Sequence, residues 1–290
     1  MPAHEQDVVP RTAKQPLLDY SRLSLDWRRL KMQASLLKKW WLRRHKPYQP
    51  LFLVATCRSG SNLLMSYLAQ QPGVAMLSEV LSSQLPIGPR RDCIPPATAI
   101  SHIRYCLQGE KTPIRGCKLM LYQLANCRLT LDDIHAAFPT ARYIVLYRQS
   151  LAEQFVSHQL ALCTNQYQLA HGQEAKRSEI VIKTGELRRY CDEIRRGYCE
   201  VLRHSWLSGR AVLLSYEELT ADAAHWLHTH ICPLLGVGYS PPTARLRKQS
   251  TQPLADRVAN YRDVSTLLHS PLCRQFHHWP YAAAANSRAA

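Results

Sequence analysis

Acidic residues are scarce. The 290-residue chain carries 21 Asp plus Glu against 37 Lys plus Arg, a formal net charge of +16 with His neutral. Such a balance points to an acidic partner: nucleic acid, an anionic membrane, or a small ligand bearing several charges. The sequence also has no C-x-x-C pair and no Cys/His spacing of the zinc-binding kind, which removes the common structural metal sites. No apolar stretch is long enough to span a bilayer, and the N-terminus lacks the apolar core of an export signal. The ten cysteines are therefore expected to be reduced, and mostly core residues, in a cytosolic protein. No nucleic-acid recognition motif is present, and aromatic and basic residues do not interleave in the way such modules require. No internal repeat is visible.

What the sequence does have is a stretch around which the rest can be ordered. Leu51, Phe52, Leu53, Val54 and Ala55 form a continuous apolar run, followed by Thr56-Cys57-Arg58-Ser59-Gly60-Ser61-Asn62 and then by Leu63, Leu64, Tyr67 and Leu68 at helical spacing. A wholly apolar run of this length reads as a strand buried on both faces, as in a parallel sheet. The stretch is therefore strand, turn and helix. Amides at a helix start lack partners within the helix, and the dipole there favours negative charge. With an Arg and two hydroxyls beside those amides, the turn has the chemistry of a phosphate cradle. An ordinary turn with a Ser or Asn cap is the competing reading of the same residues.

Residues 1–20 are polar and irregular. In 22–46, Leu23, Trp27, Leu30, Ala34, Leu37 and Trp41 recur at steps of four and three, while nine Lys and Arg occupy the other faces. This is a basic amphipathic helix. It can dock on its own domain, pair with a second subunit as a homodimer, or lie on an anionic membrane surface. Pro47 and Pro50 close that segment and open the main domain, 47–280, with a loose tail at 281–290. Within the domain, short apolar runs at 74–77, 114–122, 142–147 and 211–215 read as strands. Helices are expected near 97–107, after the Thr130/Asp133 cap, over 150–171, 186–206, 217–235 and 254–268, with loops at 82–96 and 238–253. Strands alternating with helices predict an α/β fold: a P-loop-like parallel sheet covered by helices on both faces. Ligands in such sheets bind beyond the carboxyl ends of the strands. Arg58, Glu79 and Arg148 each follow a strand and so should meet at that edge.

The nucleoside-triphosphate loop G-x-x-x-x-G-K-[ST] is not matched. Its first Gly is missing and no Lys follows Gly60. Enzymes of that kind end a later strand in Asp to hold magnesium. Here the comparable strand runs into Arg148, whose fork of donors suits a phosphate and not a cation.

At these residues the chain resembles sulfotransferases that use 3′-phosphoadenosine-5′-phosphosulfate (PAPS), and most closely the bacterial type that acts on trehalose glycolipids and nodulation factors. The resemblance runs from about residue 51 to 268. Five stretches carry it: 57–64, Ser78-Glu79, 116–120, Arg148 with 154–157, and 215–219. Two departures stand out, Asn62 where Thr is usual and Ser150 where Asp often occurs. The resemblance implies that Ser59, Gly60, Ser61 and Asn62 bind the 5′-phosphosulfate and that Arg58 stabilises the leaving group. It further implies that Arg148 and Ser157 hold the 3′-phosphate and that Glu79 takes the acceptor proton. PAPS is then the co-substrate, PAP the product, and no metal is called for. The acceptor would be a hydroxyl of a small molecule, carbohydrate or glycolipid. His102 and His158 are rival bases, Lys118 can face the sulfuryl group or pair with a carboxylate, and Arg247 and Lys248 sit in a basic loop that could cover the nucleotide. Acceptor loops are expected within 82–113 and 160–185. Two other classes stand beside this reading: a nucleoside-triphosphate-dependent kinase with a degenerate loop, and a non-catalytic protein bound to a membrane surface through 22–46.

Overall fold

Strand formation follows the apolar runs closely. The computed structural model describes residues 30–31, 34–35, 47–82, 94–169, 172–176, 178–246 and 252–274. Five strands form one sheet: β1 (Gln49–Ala55), β2 (Val74–Leu77), β3 (Ile114–Met120), β4 (Arg142–Tyr147) and β5 (Ala211–Ser215). Their order is β2-β3-β1-β4-β5, and every neighbouring pair is parallel. β1 lies at the centre, with Leu51 opposite Gly116 on one side and Arg142 on the other. Leu51 to Ala55 have no solvent exposure at all. A central strand can be that apolar because both of its faces are covered.

The alternation of side chains splits β1 between two cores. Phe52 and Val54 pack with Ile103 and Leu107 of α2 (Pro96–Gln108), Ile134 of α4 (Leu131–Ala137) and Tyr198 of α6 (Thr184–Leu202). Leu51, Leu53 and Ala55 pack with Leu64 and Leu68 of α1 (Ser61–Leu68), and with Leu219, Leu227, Ile231 and Leu235. A third cluster joins Leu151, Phe155 and Val156 of α5 (Leu151–Thr164) to Leu187 and Cys191 of α6, and to Val258, Val264 and Cys273. This last cluster draws the chain after residue 252 against the helix that follows Arg148.

Several expected boundaries move. The strand expected over 114–122 stops at Met120, where α3 (Leu121–Asn126) begins. The helix expected over 150–171 ends at Thr164, because Asn165 takes a left-handed conformation (φ 49°) and caps it. The helix expected over 186–206 starts at Thr184 and ends at Leu202, leaving Trp206 in a separate 3₁₀ turn, Ser205–Leu207. The helix expected over 217–235 is four pieces. α7 (Tyr216–Ala221) is interrupted at Asp222, whose side chain accepts from the His225 amide and starts α8 (Ala223–Trp226). A π turn, Leu227–Ile231, and α9 (Cys232–Leu235) complete it. The last expected helix is a 3₁₀ turn, Leu254–Asp256, followed by α10 (Tyr261–Leu268). Of the basic segment 22–46 the described residues are Leu30, Lys31, Ala34 and Ser35, helical and exposed. The remainder of that segment, residues 83–93 of the expected loop, Arg247 with Lys248, and the tail 281–290 lie outside the described residues. Among the described residues no helix is long and apolar enough to cross a membrane.

Candidate functional site

The turn after β1 is built from two left-handed residues. Arg58 has φ 62° and Gly60 has φ 91°. Gly60 must be glycine for a second reason, since a Cβ there would lie 2.4 Å from Cδ2 of Tyr216. Left-handed residues interleaved with ordinary ones turn successive amides to one side and make an anion-binding concavity. The helix that follows has no side-chain cap, since Gly60 is its N-cap residue.

Side chains from two helices hold the turn from behind. Gln154 on α5, fully buried, donates to the Thr56 hydroxyl at 2.8 Å and to the Cys57 carbonyl at 2.6 Å. The Thr56 hydroxyl also meets the Tyr198 hydroxyl at 3.2 Å, and Tyr198 donates to the Leu146 carbonyl at 2.5 Å. The end of β4 and the loop after β1 are thereby tied through one buried chain of hydrogen bonds. Such chains have low-energy geometry only in one arrangement, which fixes the loop.

Arg58 and Arg148 come together. Arg148 Nη1 donates to the Arg58 carbonyl at 3.4 Å, and the Arg148 guanidinium lies 4.7 Å from the centre of the Tyr216 ring. Tyr216 thus packs between Gly60 and Arg148. Arg58 Nε donates to the Ser157 hydroxyl at 3.0 Å, and its Nη1 donates to the Tyr167 carbonyl. Burial, followed by the positive charge of Arg148, lowers the Arg58 pKa from its ordinary value. Two guanidinium groups this close repel each other, and an anion between them would relieve that repulsion. Arg148 is 7% exposed. Glu153 and Glu217 stand 3.7 and 3.9 Å from it, beyond hydrogen-bond length, and its Nε has no hydrogen-bond partner among the described residues.

Both arginines open on a cavity of about 410 Å³. Gly60, Ser61, Asn62 and Ser157 line it too, so six of the eight residues singled out in the sequence share one wall. Two do not. Ser59 is fully buried; its hydroxyl donates to the Thr56 carbonyl at 2.9 Å and its amide to the same oxygen at 3.4 Å. It shapes the turn and is not among the residues that line the cavity. Glu79 is not among the lining residues. It follows β2, two strands from β1, and reaches the loop through Lys118. Lys118 Nζ lies 3.0 Å from Glu79 Oε1 and 2.6 Å from Asn62 Oδ1. Glu79 Oε2 accepts from Gln123 at 2.8 Å and lies 3.4 Å from the Tyr122 hydroxyl. Burial, then the Glu79 charge, pushes the Tyr122 phenol pKa up. Lys118 therefore pairs with a carboxylate, which decides between the two readings left open for it. Of the rival bases, His102 contacts the Val80 carbonyl at 3.0 Å, and burial followed by Arg58 lowers the pKa of His158. Ser150 is the α5 cap, accepting from the Glu153 amide at 3.2 Å, a task Asp performs equally well.

The segment after α5 falls within the acceptor loop expected over 160–185, but neither Tyr167 nor Gln168, which line the cavity, was singled out in it. Tyr167 and Gln168 contact Arg58 and Asn62 through the Tyr167 carbonyl and the Gln168 side chain. Nothing in their order marks them, since their place follows from the left-handed turn at Asn165. Arg257 also lines the cavity, donating to both oxygens of Glu153 at 2.7 and 2.8 Å. Its basic character was legible, but its place depends on the packing of the third core cluster. Among the described residues no cluster of three His, Cys, Asp or Glu could hold a metal ion.

Comparison with known proteins gives three findings. A model of the sulfotransferase family matches residues 116–241, a span that includes Arg148, Ser157 and Tyr216 and begins after the Arg58 loop. No curated protein matches the chain. Among solved structures, sulfotransferase STF1 from Mycobacterium tuberculosis H37Rv is similar over 77% of each chain, with 13% identity and a TM-score of 0.45.

Proposed function

We propose that this protein is a PAPS-dependent sulfotransferase, moving a sulfuryl group to a hydroxyl of a small-molecule, carbohydrate or glycolipid acceptor and releasing PAP. The observation that carries the reading is the meeting of Arg58 and Arg148 at one cavity, with the buried Arg148 Nε making no hydrogen bond among the described residues. The family match over 116–241 supports the same class of reaction.

The residues present suit such a donor. Amides of the first turn of α1 and the Ser61 hydroxyl would hold the 5′ end, and Arg148 with Ser157 would hold the 3′-phosphate. Bound PAPS supplies the activated sulfuryl group. The protein's share is positioning and fixed positive charge near the departing oxygen. Arg58 serves there because its guanidinium is half-buried, close to the loop, and oriented by Ser157 and the Tyr167 carbonyl. Glu79 is the proposed proton acceptor. Its Oε1 is taken by Lys118 and its Oε2 accepts from Gln123, and the Tyr122 hydroxyl 3.4 Å from Oε2 stands where an acceptor hydroxyl would approach. The end of β4 is basic where a triphosphate site needs a metal-holding carboxylate, which disfavours the kinase alternative.

A thermal-shift comparison of PAP, ATP and ADP, each with and without magnesium, tests the reading. PAP without metal is expected to raise the melting temperature by roughly 4–5 °C at a hundredfold excess over its dissociation constant. Stabilisation by ATP with magnesium and none by PAP would reject it in favour of the kinase.

A further inference from the structure

Arg148 is surrounded by carboxylates yet hydrogen-bonded to none. The cause lies one residue further out. Glu153 Oε2 is 3.7 Å from Arg148 Nη2, about 1 Å beyond the length of a charge-assisted hydrogen bond. It does not close that gap because Arg257 already grips both of its oxygens, at 2.7 and 2.8 Å. Arg257 is itself fixed: its side chain is 5% exposed, its Nε donates to the Pro253 carbonyl at 3.3 Å, and its own carbonyl accepts from the Ile180 amide. The Glu153 backbone is fixed as well, its amide donating to the Ser150 hydroxyl at 3.2 Å. One carboxylate therefore stands between two arginines in a single cavity: Arg257 holds it by hydrogen bonds, and Arg148 meets it only as a longer ion pair.

We propose that Arg257 is a specificity-determining residue that acts through Glu153. By retaining the carboxylate, it keeps Glu153 off Arg148 and leaves the Arg148 donors open to a phosphate ester. A freed Glu153 would turn onto Arg148, neutralise it, and compete with the incoming phosphate for the same fork of donors. The ligand class this protects is a nucleotide with a second, ribose-borne phosphate. The inference rests on the functional reading above and adds to it the device by which the cavity separates such a nucleotide from one lacking that phosphate.

The test is calorimetric titration of the full chain with PAP and with AMP. The wild-type protein should bind PAP at least about tenfold more tightly than AMP. In Arg257→Met the PAP dissociation constant should rise about tenfold while that of AMP changes by less than about threefold. Adding Glu153→Gln to that variant removes the competing charge and should bring PAP back to within about threefold of wild type. Parallel loss of both nucleotides in Arg257→Met, or failure of the second change to restore PAP, overturns the proposal, because either result would make Arg257 a direct ligand or a structural support. Should Arg257→Met not fold, Glu153→Gln alone decides: PAP binding equal to or tighter than wild type supports the proposal, and weaker binding overturns it. A wild-type protein that does not distinguish PAP from AMP rejects the functional reading itself, whatever the variants do.

Discussion

Tyr216 shows how much one residue can carry. Its ring packs against Gly60 on one side and lies under the Arg148 guanidinium on the other, so the loop after β1 and the end of β4 share a single aromatic spacer. Gly60 is the partner least open to change. Alanine there meets the ring at 2.4 Å and must also hold φ 91°, a conformation that costs a non-glycine residue about 1–2 kcal/mol. Gly60→Ala should therefore lower the melting temperature by several degrees and weaken PAP binding, as the ring is displaced from Arg148. Calorimetry on the folded variant checks this; unchanged PAP affinity would show that the Tyr216 contact does not set the arginine.

Elements divide between those that close their own ends and those that leave them open. Two helices carry complete capping boxes, Thr130 with Asp133 ahead of α4 and Ser215 with Glu218 ahead of α7. α1 has none, although its first residues, Ser61 and Asn62, are of capping type. The Asn62 side chain instead meets Lys118 and Gln168, and the Gly60 conformation begins the helix. Among the open ends, that of α1 is where a ligand is proposed, and the closed end of α4 lies away from the cavity lining. Thr130→Ala should accordingly cost about 1 kcal/mol, read as a lower denaturant midpoint, with the PAP dissociation constant unchanged. A loss of nucleotide affinity in that variant would mean that α4 communicates with the site across the sheet. The Thr130/Asp133 box was legible in the sequence because its chemistry lies within four residues. The break at Asp222 and the stop at Asn165 were not, because both residues can also sit within or beside a continuous helix.

At the scale of the molecule, the strand order β2-β3-β1-β4-β5 places β1 where the connections change direction. After β2 and β3 have been laid on one side, β4 and β5 follow on the other, and a crevice opens between the ends of β1 and β4. Arg58 and Arg148 stand at that crevice, and the third core cluster brings Arg257 to it from more than a hundred residues away in sequence. Nucleotide binding should thus slow amide exchange at three separate places, the 56–60 loop, α5 and the 253–258 turn, with α4 on the opposite face unaffected. Protection limited to the 56–60 loop would argue against that convergence.

The sequence alone determined the layered α/β plan, the buried central strand and the list of basic residues near its end. These rest on local chemistry: apolar runs too long for an exposed strand, a glycine at a turn, arginines just past strand ends. Which of those residues face one another was decided only in three dimensions. Ser59 reads like its neighbours in the loop, yet it turns inward, because a two-residue difference in backbone handedness sends its hydroxyl to the Thr56 carbonyl. Glu79 lies close to Arg58 in sequence and yet outside the cavity lining, because β3 inserts between β1 and β2. Glu153 and Arg257, 104 positions apart, meet because burying the apolar faces of α5, α6 and the closing segment leaves no other place for them. Short-range order follows from the backbone and from side-chain period; long-range pairing is set by whichever packing removes the most apolar surface from water.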